Sequence, residues 1–181
     1  FYMQEYFNKA QIVDKEGQTR PLVAKEEKIV ITGKTPADFV SRGITPMQSA
    51  SLLLILVAGI SIYGIRRGKT LWGIDLILFL VAGMAGCILA FLALFSQHPA
   101  VSPNYILFVF HPFHLFCLPF MLSRVRKREI SRYMLVNFAV LTLFIGLWTI
   151  IPQRIPPAVL PLALCLLIRS ASNLILTYKR K

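Results

Sequence analysis

The chain has 181 residues, of which 56% are apolar and 15% charged, with a mean hydropathy of +0.64 and a formal net charge of +12. A soluble domain of this size carries about 25% charged residues, so water does not solvate most of this chain and a large soluble enzyme core is excluded. Glycine (10) and proline (11) are ordinary in number, and long apolar runs dominate, which excludes disorder and collagen-like repeats.

Residues 1–46 carry seven basic and six acidic side chains and read as an extracytoplasmic segment at the edge of a larger outer domain. The first residue is Phe1 and no secretion signal follows it, so a longer protein is expected. The stretch QIVD, a KEGQ turn and TRPLV predict a small β-hairpin, with Gly17 supplying the positive φ of the turn. KIVITGK is a candidate third strand, and Thr35 or Pro36 a candidate helix start.

Residues 47–181 predict a transmembrane domain. Five segments meet the length of about 20 apolar residues that a hydrocarbon core requires: 47–66, 71–95, 104–122, 131–151 and 156–178. The predicted fold class is therefore an all-α integral membrane protein, a five-helix bundle preceded by the short hairpin segment. Ala82, Gly86 and Ala90, with Gly83 beside them, give the second span a stripe for close helix packing.

The excess charge is one-sided. Arg66, Arg67 and Lys69 follow the first span, Arg124, Arg126, Lys127, Arg128 and Arg132 follow the third, and Lys179 to Lys181 end the chain; the opposite loops offer only Arg154. By the positive-inside rule the basic loops and the C-terminus are cytoplasmic and the N-terminus lies outside. Attraction to anionic lipid accounts for the basic character, and no nucleic-acid partner is expected. Tyr63, Trp72, Tyr105, Tyr133, Trp148 and Tyr178 all fall near span ends, where amphipathic rings are favoured.

Polar groups inside a span are costly and become candidate functional residues. Asp75 in the second span and Arg169 and Asn173 in the fifth form a candidate intramembrane cluster, read either as a packing device or as a proton or substrate relay. His98, Asn104, Tyr105, His111 and His114 form the second candidate group, an outward-facing pocket for a lipid headgroup or peptide end. The alternative for the histidines is structural: Pro112 and Pro119 free the carbonyls of Phe108 and Leu115, which His111 and His114 are placed to satisfy. No metal site, cofactor or catalytic thiol is expected. HExxH is absent, and Cys87, Cys117 and Cys165 lie in spans at different depths, as packing residues.

The stretch running from Asp75 through Gly83, Gly86, Ser96, His98, Pro99 and Asn104 to Pro112 resembles the C-terminal membrane region of the Lnb-like bacterial lipoprotein N-acyltransferases. FYMQEYFNKAQIVDKEGQTRPLV is similar to that family's junction between outer domain and membrane. The resemblance implies that the complete protein transfers a fatty acyl chain from phospholipid to the N-terminal cysteine of a lipoprotein. It implies too that the Cys and His catalytic groups belong to a papain-like outer domain beyond these residues. These 181 residues are then expected to be non-catalytic alone, with membrane phospholipids and lipoprotein substrates as partners. Two other readings remain: a scaffold that assembles with another envelope protein, and an ion or lipid conduit built on Asp75 and Arg169. Oligomeric state is left open.

Overall fold

The computed structural model describes residues 6, 9–13, 15, 17–23, 43–95 and 103–179. The chain forms two compact units, residues 1–43 and 44–181. In the first, β1 (Gln11–Val13) pairs antiparallel with β2 (Thr19–Pro21), Ile12 lying opposite Arg20. Gly17 adopts φ 80° in the connection, the left-handed region that glycine enters without a Cβ clash. The hairpin is thus as predicted. The candidate third strand at KIVITGK, Thr35 and Pro36 lie outside the described residues.

The second unit is helical. α1 (Pro46–Arg67) opens with a reciprocal cap: Thr45 Oγ1 accepts from Gln48 N at 3.2 Å, and Gln48 Oε1 accepts from Thr45 N at 2.9 Å. Pro46 occupies the first turn, where its missing N–H costs nothing. α2 (Trp72–Phe95) and α6 (Val159–Tyr178) are, with α1, long and apolar enough to cross a membrane. Large apolar side chains such as Ile55 on α1 and Ile77, Val81, Met84 and Ile88 on α2 are exposed. In water these faces would drive aggregation; in hydrocarbon they are solvated.

The third predicted span differs from a continuous helix over 104–122. It consists of a 3-10 turn (Tyr105–Phe108), a single helical turn α3 (Phe113–Phe116) and α4 (Leu118–Lys127), bent by 78° between the two halves. The prolines explain where it breaks. Pro112 sits immediately before α3 and Pro119 in the first turn of α4, so each starts a new helical piece in place of kinking an old one. Arg128 then ends α4 in the left-handed conformation, φ 55° and ψ 39°.

The fourth span is short. α5 (Arg132–Gly146) has 15 residues, about 22 Å at 1.5 Å per residue, and hydrogen-bonded turns carry the chain on to Ile151. α6 packs against both α1 and α5, while α2 packs against α3 and α4. Over half of α6 (56%) is buried against 22% for α1 and α2, so α6 is the interior helix. Phe79, Val109, Met121, Met134, Leu141 and Leu166 form the apolar core around it. The Arg126 guanidinium lies 4.6 Å over the Trp72 ring, which brings the basic end of α4 to the start of α2.

Candidate functional site

Two polar centres lie inside the helical unit. The first is built on α6. Arg169, 1% exposed, donates from Nε to Asp75 Oδ1 at 2.7 Å and from Nη2 to Asp75 Oδ2 at 3.0 Å, a two-pronged pair in which Asp75 is wholly buried. The remaining guanidinium nitrogen, Nη1, donates to Ser61 Oγ on α1 at 3.0 Å, and Asn173 Nδ2 donates to Asp75 Oδ2 at 3.0 Å. The planar fork of arginine matches a carboxylate in this way, and a lysine would not. Three helices are thereby tied at one depth.

Beside Arg169, Ser170 extends the polar interior to α5: Asn137 Nδ2 donates to Ser170 Oγ at 2.9 Å. Asn137 Oδ1, Asn173 Oδ1 and Ser172 Oγ are buried with no hydrogen-bond partner among the described residues.

The second centre is the break in the third span. His114 is fully buried, with Nε2 2.8 Å from the Val109 carbonyl oxygen and Nδ1 2.6 Å from the Tyr133 hydroxyl. A carbonyl only accepts, so Nε2 carries the proton; in the neutral ring Nδ1 then accepts from Tyr133 Oη. The histidine supplies a bond the backbone lost at the break. Sequence reasoning placed the freed carbonyl at Phe108; the one His114 satisfies is Val109. His111 stacks on His114 with ring centroids 3.8 Å apart and 18° between planes, and its Nδ1 is buried with no hydrogen-bond partner among the described residues.

The glycines of α2 make this possible. A Cβ on Gly86 would lie 2.5 Å from the His111 carbonyl carbon, and one on Gly83 2.6 Å from the Leu115 nitrogen. Backbone therefore rests directly on backbone, and any side chain at either position would push the broken segment off the helix.

The sequence-derived pocket residues separate into levels. Asn104 caps the 3-10 turn, its Oδ1 accepting from Ile106 N at 3.1 Å, and Tyr105 N donates to Gln153 Oε1 at 2.8 Å. These two residues lie at the end of the bundle away from the basic loops, by the 151–158 connection. His111 and His114 lie deeper. His114 packs edge-on against Phe79, which is about 10 Å along α2 from Trp72, and its partner Tyr133 is the second residue of α5. His114 thus sits nearer the basic end. His98, Ser96 and Pro99 lie outside the described residues. Ser61, Tyr133, Asn137 and Gln153 are the contributors that sequence reasoning missed; Ser61 and Asn137 are polar residues inside apolar spans, which is a usable signal.

A cavity of about 610 Å³ opens beside the histidines, lined by residues including Phe108, His111, Phe113, Arg132, Tyr133 and Asn137. Among the described residues no group of three or more His, Cys, Asp or Glu side chains is placed to hold a metal ion. Cys117 also lines this cavity, and Cys165 is buried on α6.

Apolar crossing helices, a doubly broken span and a hydrogen-bonded buried ion pair define a polytopic membrane domain. The chain belongs to the Lnb transmembrane domain family, whose family model matches residues 38–181. No curated protein and no solved structure matches the chain.

Proposed function

We propose that this domain is the membrane module of an Lnb-like lipoprotein N-acyltransferase, anchoring an outer catalytic domain in the bacterial inner membrane and positioning phospholipid or lipoprotein substrate for it. The family match across every helix of the unit carries this reading. The crowding of basic residues at one end supports an orientation with that end cytoplasmic and Asn104 on the periplasmic side.

Acyl transfer between membrane-held reactants is limited by their meeting at one height. A rigid bundle that fixes the outer domain over the bilayer raises the effective concentration of lipid at the catalytic groups and contributes no reacting atom itself. His98, Asn104 and Tyr105 are the residues proposed to contact substrate at the outer mouth.

The test uses the full-length acyltransferase. His98→Ala and Asn104→Ala are expected to insert normally and to lower N-acylation of a reporter lipoprotein by about tenfold, some 1.4 kcal/mol in the barrier. Unchanged acylation in both would leave anchoring alone. Full activity after exchange of the whole module for an unrelated anchor of the same orientation would remove positioning as a role. Cysteine labelling of the SQHPAVSP stretch from the cytosolic side would overturn the orientation.

A further inference from the structure

The cavity beside the histidines is a lateral groove between the broken third span and α5. Its lips are apolar and open: Phe108 is 52% exposed, Phe113 65% and Val136 59%. At its basic-loop end stands Arg132, the first residue of α5, exposed and in no salt bridge among the described residues. Within its wall Asn137 is 2% exposed, and among the described residues neither its Oδ1 nor Nδ1 of His111 has a hydrogen-bond partner. A guest must therefore combine an apolar body, a negative end and polar groups a short way below that end.

We propose that this groove holds one anionic phospholipid from the leaflet on the basic-loop side, separate from any lipid handled at the outer mouth. The phosphate sits on Arg132, whose fork matches two phosphate oxygens. It lies also at the N-terminus of α5, where the partial positive charge of the helix adds to the attraction. Arg126 in the last turn of α4 and Arg128 just after it bias the leaflet toward anionic headgroups. An acyl chain runs along Phe108, Phe113 and Val136.

Depth supplies the match for the two polar atoms. Asn137 is five residues beyond Arg132, about 7.5 Å along the axis, which is the inner boundary of a polar layer about 5–7.5 Å deep on each side of a bilayer. The water that hydrates the glycerol esters lies in that layer and donates to Asn137 Oδ1, while the ester oxygens, which only accept, suit His111 Nδ1 in the tautomer that carries its proton there. A pure hydrocarbon guest would leave both atoms unmatched.

The experiment uses the full chain purified in detergent and titrated with phosphatidylglycerol, phosphatidylcholine or inorganic phosphate, read by native mass spectrometry and by the thermal midpoint. The expected result is one tightly retained phosphatidylglycerol, phosphatidylcholine bound about tenfold more weakly, and no response to phosphate alone. Arg132→Gln is expected to equalise the two lipids, and Val136→Trp, which fills an exposed lip, to abolish both adducts while the lipid-free midpoint stays unchanged. Equal retention of both lipids by the unaltered chain, an undiminished adduct in Val136→Trp, or a full response to inorganic phosphate would each overturn the proposal.

Discussion

The two polar centres of the bundle solve the same difficulty by opposite routes. Around Arg169 the helices are unbroken and the polarity is in side chains, two of them charged, which satisfy one another through Asp75, Ser61 and Asn173. Around His114 the side chains are neutral and the polarity is in the backbone, exposed where Pro112 interrupts the chain and answered by an imidazole. In hydrocarbon neither kind of group can turn to water. The first centre holds three helices in register; the second gives the Val109 carbonyl a partner where the span is interrupted before α3.

The contrast predicts unequal sensitivity. Arg169→Leu, which strands Asp75 with no cation, should lower unfolding stability in detergent by about 3–5 kcal/mol, and the double replacement of Asp75 and Arg169 by leucine should recover most of that loss. A double variant no more stable than the single would mean that the charges do more than cancel each other. His114→Phe should come next, orphaning the Val109 carbonyl and the Tyr133 hydroxyl at about 1–3 kcal/mol per group, with half-buried Tyr133 at the low end.

Gly86→Ala tests the seat of the broken segment: the added methyl meets the His111 backbone, and overpacking of this kind costs about 1–3 kcal/mol. It should loosen the second centre and leave the first intact, visible as faster cysteine labelling at position 117 with no change at 165. Tyr133→Phe is the mildest, orphaning only His114 Nδ1 at about 1 kcal/mol; thermal unfolding that ranks it above His114→Phe would break the proposed hierarchy.

Much of the fold was legible because hydrocarbon imposes a length. The first, second and fifth spans follow from runs of apolar residues longer than a bilayer core is thick, and the hairpin from Gly17 between two short β-prone stretches. The third span was legible as interrupted, since Pro112 and Pro119 stand inside it, but the angle between its pieces depends on what it packs against. Gly83 and Gly86, evident as a small-residue stripe, give no hint in one dimension that their guest is the His111–Leu115 backbone. Asp75, Arg169 and Asn173 stand out as polar residues in apolar runs, and the structure brings them together. Tyr133 was hidden by its own pattern: near a span end it reads as an interfacial ring, whereas its hydroxyl bonds a histidine 19 residues away.

Arg128 carries a wider consequence. It reverses the chain in a backbone conformation that costs a non-glycine residue about 1–2 kcal/mol, although glycine would fit there without strain. Glycine, however, would strip one cation from the rim that directs insertion under the proposed orientation. Under that orientation a single position would serve both as hairpin corner and as address label, and an engineer who relaxed the corner would also be weakening the instruction that tells the helix pair which way to enter the bilayer.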